Sequence, residues 1–160
     1  MMNETKLIGT FFKSRQKAIS QYATQTEAIQ NKVLQRLLQK AAGTEWGLKH
    51  DYRTIKGYQD FQQSVPVQTY EEIKEYVDRM RHGEKNILWP GEVVWYAKSS
   101  GTTNDKSKFI PVSKEGLQTV HYAGGRDAVA LYLQQNPASR IFSGRTLILG
   151  GSHAPNYNLK

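Results

Sequence analysis

The sequence contains no cysteine among its 160 residues, which excludes disulfide bonds and thiolate metal sites. Its four histidines lie far apart and lack the HxxxH or HxH spacing that is typical of a zinc site. No run of about 18 apolar residues is long enough to cross a bilayer, and the N-terminus lacks the apolar core and cleavage site of a secretory signal. These absences favour a cytoplasmic protein with no membrane association and no structural zinc.

Acidic residues are in the minority, since 14 Asp and Glu against 22 Lys and Arg give a formal net charge of +8. Such a charge attracts polyanions. The basic residues are nevertheless spread along the chain without a run of five, and no aromatic RNA-binding motif or recognition-helix pattern accompanies them. We therefore expect a solvated basic surface rather than nucleic-acid binding, and a basic nucleic-acid-interaction protein is the least favoured alternative.

Apolar residues recur at helical spacing in three stretches, which predicts three long amphipathic helices. The first covers residues 14–41 and ends at Gly43, which we expect to adopt the left-handed conformation of a C-cap. The second starts at a capping box of Thr69 and Glu72 and runs to residue 81. The third, capped by Ser113, covers residues 114–135. The predicted buried positions are Ala18, Tyr22, Ile29, Val33, Leu37 and Ala41 in the first helix, Tyr70, Ile73, Val77 and Met80 in the second, and Leu117, Val120, Gly124, Ala128 and Leu131 in the third.

Short runs of strand-forming residues at 93–97, 109–112 and 146–149 are predicted strands. Between the first two helices, aromatic residues are expected to pin an irregular or short-helical connection to the core; they are Trp46, Tyr52, Tyr58 and Phe61. The chain has no repeat and no evident linker. It therefore predicts a single α/β unit in which long helices pack on the short strands of an incomplete sheet.

The segment between the first two strands has the composition of a phosphate-binding loop. It offers hydroxyls, one glycine that lets the backbone approach a ligand, and two cations, in the order Ser99, Ser100, Gly101, Thr102, Thr103, Lys106 and Lys108. It follows a strand and precedes a long helix, a usual position for ligand sites in α/β folds. It is not a Walker A loop. Counted back from Lys106, the residue at the place of the second glycine of GxxxxGK(S/T) is aspartate, and counted from Gly101 the lysine comes one position early.

Two readings of this loop remain open on local chemistry alone. The same residue types compose ordinary polar surface turns. The loop could also belong to a nucleotide-binding module that carries out no chemistry.

The segment SSGTTNDKSKFIPVS, residues 99–113, resembles the first ATP/AMP-binding motif of the adenylate-forming superfamily, which includes acyl-CoA synthetases and luciferase. More narrowly, the chain resembles the bacterial branch of the GH3 family of acyl acid–amido synthetases. That likeness extends over GTEWGLKHDY (43–52), VPVQTYEEIKEYVDRM (65–80), GEKNILWPG (83–91), YAKSSGTT (96–103), HYAGGRD (121–127) and LILGGSH (147–153).

The resemblance implies the N-terminal part of a luciferase-like adenylation domain and a two-step reaction. A carboxylic acid attacks the α-phosphate of Mg-ATP to form an acyl adenylate, and an amine, typically of an amino acid, then displaces AMP. By position in the motif, the nucleotide phosphates are gripped by Ser99, Ser100, Gly101, Thr102, Thr103 and Lys108, whereas Lys106 is a weaker candidate. We expect a monomer that uses ATP and Mg²⁺ on small-molecule substrates.

The resemblance also singles out Arg126, because an arginine on the corresponding helix of plant members lines the acyl-acid pocket, where it can meet the substrate carboxylate. The alternative is a helix-surface arginine paired with an acid. His121, one turn earlier, is either pocket lining or a satisfied core histidine. Asn104, Asp105 and Ser107 depart from the wider superfamily motif. Because the later nucleotide motifs do not occur before residue 160, residues 1–160 are expected to be an N-terminal fragment that is inactive alone.

Overall fold

The computed structural model describes residues 4–99, 108–145 and 147 of the chain. In order along the chain its elements are α1 (Glu4–Thr24), α2 (Thr26–Ala41), α3 (Glu45–Lys49), α4 (Tyr58–Ser64), α5 (Tyr70–Arg81), β1 (Trp95–Lys98), β2 (Phe109–Val112), α6 (Lys114–Gly116), a π-helical segment (Leu117–Tyr122) and α7 (Ala123–Gln135). The predicted α/β class, with long helices and short strands, is confirmed. The described helices dominate, and the described strands form one two-stranded sheet.

The helix predicted at 14–41 is two helices, α1 and α2, and it starts earlier than predicted. The break lies at Gln25, whose φ of −130° is not helical. Threonines flank it, and their hydroxyls donate to the carbonyls of Gln21 and Tyr22. Such side-chain bonds compete with the helical backbone bonds, which apolar periodicity does not reveal. Part of the predicted buried face is exposed as well, since Tyr22 is 47% accessible.

Gly43 does not have the predicted left-handed conformation, which the described glycines adopt only at Gly83 and Gly91. The turn is made by Thr44 instead, which is almost fully buried. Its hydroxyl donates to the Ala41 carbonyl at 2.7 Å and accepts the Gly47 N–H at 3.0 Å. One side chain therefore closes the end of α2 and caps the start of α3.

The middle of the chain follows the prediction closely. The capping box is present at the start of α5, where Glu72 accepts the Thr69 N–H at 2.6 Å, and the helix ends at Arg81 as predicted. Its inner face joins a small core made by Met80, Ile87 and Val93. Of the aromatic residues expected to pin the preceding connection to the core, Trp46 is buried as predicted. Tyr58 is 64% exposed and does not anchor the connection.

Strands β1 and β2 form an antiparallel ribbon in which Trp95 pairs with Val112 and Lys98 with Phe109. Both strands lie where they were predicted, the first shifted by one or two residues. Ser113 then caps the following helix by accepting the Gly116 N–H at 3.0 Å. The predicted strand at 146–149 falls on residues that are not described, apart from Leu147, which belongs to no element.

The buried face predicted for residues 114–135 is wrong. Val120 is 71% and Leu131 41% exposed, and the side chains that are buried are Ala130 and Leu133. The cause is the π segment, whose i→i+5 hydrogen bonds do not repeat every 3.6 residues. A buried face predicted with a single helical period therefore no longer matches the residues that follow the π segment. The α7 helix packs instead along α1. Within the described residues, no helix is both long and apolar enough to span a membrane.

Candidate functional site

The candidate phosphate loop lies at the open end of the β1–β2 ribbon. The Ser99 N–H donates to the Lys108 carbonyl at 2.9 Å, and the Lys108 N–H donates to the Ser99 hydroxyl at 3.0 Å. These two bonds continue the ribbon by one pair and hold the two ends of the loop together. The other predicted phosphate ligands, Ser100, Gly101, Thr102 and Thr103, lie outside the described residues, as does Lys106.

Ser99 and Lys108 both keep donors for a ligand. The Ser99 hydroxyl acts as an acceptor towards Lys108, and its own O–H proton is not donated to any residue that the structure describes. The Lys108 ammonium lies 5.6 Å from the centre of the Tyr70 ring and forms no ion pair with the residues the structure describes. A hydroxyl and a cation at the neck of the loop suit an anionic ligand such as a phosphate.

Tyr70 is a part of this site that the sequence did not indicate. It was expected only on the buried face of α5, but its hydroxyl also accepts the Phe109 N–H of β2 at 3.0 Å, and its ring lies beneath Lys108. The tyrosine and the amide it binds are 39 residues apart, so no local motif reveals the contact. Tyr70 therefore fixes both the strand and the lysine that follows the loop.

A second contact secures the same strand to α5. The Arg81 guanidinium lies 3.7 Å from the centre of the Phe109 ring, a cation–π contact, and is held there by an ion pair with Asp78 at 2.9 Å. On the same face of the ribbon, burial raises the pKa of the Tyr96 phenol. The Tyr96 hydroxyl is buried without a hydrogen-bond partner among the described residues. The ribbon is therefore anchored by the end of α5 as well as by its start.

Arg126 is exposed on α7. It lines a cavity of about 620 Å³ whose wall also includes Arg15, Tyr22 and Asp127, and to which neither Ser99 nor Lys108 contributes. The sequence left open that Arg126 is a surface arginine paired with an acidic residue. Arg126 forms no ion pair within the described part of the chain. His121 is exposed and lies beside Tyr122, with ring centroids 5.4 Å apart. It is therefore not a core histidine, nor does it line this cavity.

Comparison with known proteins identifies relatives for most of the chain. The model of the GH3 family N-terminal domain matches residues 15–156. An indole-3-acetic acid-amido synthetase of Arabidopsis thaliana, GH3.15, is 34% identical over 96 residues, which is 59% of this chain and 16% of that protein. The jasmonoyl–L-amino acid synthetase JAR6 of Nicotiana attenuata is 32% identical over 96 residues, 57% of this chain and 16% of the relative.

A solved structure agrees with these matches. The structure of the AtGH3.15 acyl acid amido synthetase in complex with 2,4-DB superposes with a TM-score of 0.69 at 28% identity and covers 79% of this chain and 22% of that one. The chain spans about a sixth of the length of the curated relatives named above. Because the family model covers nearly all of its residues, the chain belongs to the GH3 family.

Proposed function

We propose that this chain is the N-terminal part of the adenylation domain of an ATP-dependent acyl acid–amido synthetase. In the first step a carboxylate oxygen bonds to the α-phosphorus of ATP while the bond to pyrophosphate breaks. In the second step an amine bonds to the acyl carbon, AMP leaves, and the nitrogen loses a proton. The substrates would be a small carboxylic acid and an amine such as an amino acid.

The observation that carries this proposal is the GH3 family match over residues 15–156, which includes both strands of the ribbon and the loop between them. The names of the relatives support the same chemistry, because they are amido synthetases that join an acyl acid to an amino group. Since the chain spans only a small part of those proteins, we expect the isolated 160 residues to lack the complete activity.

The described residues fit the phosphate groups of a nucleotide. The Ser99 hydroxyl and the Lys108 ammonium would hold the β- and γ-phosphates as pyrophosphate departs, together with Ser100, Gly101, Thr102 and Thr103. The two hydrogen bonds between Ser99 and Lys108 support this role, because they would hold these two residues in position before the reaction starts, and preorganised charge lowers a barrier. ATP is expected to arrive with Mg²⁺. We assign no residue of the chain to that ion, since the described residues contain no metal-binding cluster of carboxylates or histidines.

Arg126 is proposed to meet the carboxylate of the acyl acid. Its guanidinium lines a cavity large enough for a small organic acid, and it is not engaged by any acidic residue that the structure describes. A planar guanidinium can bind a carboxylate with two parallel hydrogen bonds, which fixes the acid's orientation as well as its position.

The complete gene product containing this chain can be tested by ATP–pyrophosphate exchange with a panel of carboxylic acids, including indole-3-acetic and jasmonic acid. We expect exchange that depends on the acid and precedes any addition of an amine. Absence of exchange with every acid, in protein that is folded, would contradict the proposal.

The role of the loop can be tested with two matched lysine variants. Lys108→Ala removes the ammonium at the neck of the loop and should lower the exchange rate by about 100-fold, as the loss of a transition-state donor does. Lys98→Ala removes an exposed lysine from the neighbouring strand and should leave the rate within about twofold. Equal losses in the two variants would show that general positive charge, rather than this position, matters.

A further inference from the structure

An arginine–aspartate pair joins the first and last described helices of the chain. The Arg15 Nε donates to one carboxylate oxygen of Asp127 at 2.8 Å, and its Nη2 donates to the other at 2.8 Å. The residues are 112 positions apart, and the Asp127 side chain is only 19% exposed. The hydrogen bonds to Asp127 raise the pKa of Arg15, with a smaller contribution from Tyr22. The pair is therefore a bidentate ion pair that links α1 to α7.

The pair uses both oxygens of the only carboxylate in the described wall of the cavity. Two guanidinium groups, those of Arg15 and Arg126, and one carboxylate line that wall, and the other lining residues are uncharged. Asp127 adjoins Arg126 in sequence, and both face the same cavity. Without Arg15, Arg126 would be the only cation left in the described wall of this cavity.

The neighbouring helix has a geometry that suits a ligand site. Gln118, Thr119 and Val120 of the π segment form another part of the cavity wall. Single π turns inside α-helices recur at functional sites, because they displace side chains from the regular helical face. Gly124 adds no side chain, and a Cβ built on it would meet nothing within 4 Å. The wall beside Arg126 is therefore open.

We infer that Arg15 is a positioning residue for the acyl acid: by holding the Asp127 carboxylate, it prevents that group from pairing with Arg126 and leaves one cation free for the substrate. This inference rests on the proposed role of Arg126. The described wall of the cavity then has one positive charge without an acidic partner, which favours a ligand with a single carboxylate. A structural role in joining α1 to α7 would not by itself affect which anion Arg126 can bind.

The decisive experiment compares Arg15→Met with the double variant Arg15→Met/Asp127→Asn in the complete gene product. The probe is the acid that gives the fastest exchange in the panel. In the single variant the released carboxylate competes for Arg126, so the KM for the acid should rise about tenfold or more while the KM for ATP stays within about twofold. In the double variant no carboxylate competes, and the KM for the acid should return to within about threefold of the wild-type value.

Two outcomes would overturn the inference. The first is a double variant as impaired as Arg15→Met, since loss of packing between α1 and α7 would affect both equally. The second is an unchanged KM for the acid in Arg15→Met. Should Arg15→Met fail to fold, Asp127→Asn alone provides the test, because it removes the competitor and retains Arg15. Its KM for the acid should not rise, and a tenfold rise would contradict the inference.

Labelling of Arg126 by phenylglyoxal, followed by peptide mass spectrometry, separates this inference from the proposed function. An unpaired guanidinium reacts faster than one in a bidentate ion pair. Arg126 should therefore react readily in the wild type, several-fold more slowly in Arg15→Met, and readily again in the double variant. That pattern without any exchange activity would support the pairing and refute the synthetase. Exchange activity with labelling unchanged among the variants would refute the pairing alone.

Discussion

At the scale of single residues, Gly47 has the least room for a side chain among the glycines that the structure describes. A Cβ built there would lie 2.1 Å from the Ala41 carbonyl oxygen and 2.9 Å from the Ala41 carbonyl carbon, both backbone atoms. The closeness arises because α3 begins directly beneath the end of α2, where Thr44 bonds to both helices. Neither helix can move away without breaking those bonds.

Gly47→Ala should therefore lower the free energy of unfolding by about 3 kcal/mol, at the upper end of the cost of overpacking. Gly43→Ala is the matched control, because a Cβ there meets nothing within 4 Å and its φ is not left-handed. It should be neutral, or stabilising by up to about 1 kcal/mol through the unfolded chain. Urea unfolding measures both. A larger loss of unfolding free energy in Gly43→Ala than in Gly47→Ala would instead support the left-handed C-cap that the sequence predicted at Gly43.

At the scale of elements, α5 and the ribbon depend on each other through Tyr70. Tyr70→Phe removes the acceptor of the Phe109 N–H but keeps the ring beneath Lys108. We expect a loss of about 1 kcal/mol in the free energy of unfolding, and slower amide exchange at Phe109 in the wild type than in the variant. Hydrogen exchange followed by mass spectrometry or NMR measures the second effect. Tyr70→Leu removes both the ring and the hydroxyl and should cost more; equal losses in the two variants would assign the whole effect to the hydroxyl.

The elements also show which parts of the fold local sequence could predict. The capping box of Thr69 and Glu72 and the β-formers of both strands act over a few residues, and the structure has them where they were predicted. The break at Gln25 and the π segment could not be predicted in this way, because neither changes the spacing of the apolar residues. The contacts that define the candidate site, Tyr70 with Phe109 and Arg15 with Asp127, join distant parts of the chain. Residue types nominated Lys108 and the family resemblance nominated Arg126, but neither indicated what surrounds them in the fold.

At the scale of the whole molecule, several carboxylates couple stability to pH. The pKa of Glu45 and that of Glu84 are lowered by hydrogen bonds from Arg79, that of Glu72 by the Thr69 backbone, and that of Glu115 by Lys40 and, less strongly, Arg36. A carboxylate whose folded pKa lies below its ordinary value of 4.5 stabilises the fold above that pH. The stabilisation is lost as the pH falls through the folded pKa.

These groups should therefore change the melting temperature little between pH 7 and pH 5 and lower it as the pH falls below 4.5. Thermal unfolding followed by circular dichroism across that range tests this expectation. In Glu115→Gln the melting temperature should fall less between pH 4.5 and lower pH than in the wild type, because the variant lacks one titrating group at the junction of α2 and α6. An identical fall in melting temperature below pH 4.5 in wild type and variant would rule out a contribution from Glu115.

The ribbon has one further consequence, which concerns how separate molecules meet. The face opposite α5 presents Trp95 and Ile110, which are 64% and 53% exposed, and neither strand has a second strand beside it in the described chain. Bare strand edges next to apolar side chains are templates for self-association. The net charge of +8 opposes that association by mutual repulsion. Because salt shortens the range of repulsion to a few ångströms at about 1 M, we expect this chain to associate more readily as the ionic strength rises.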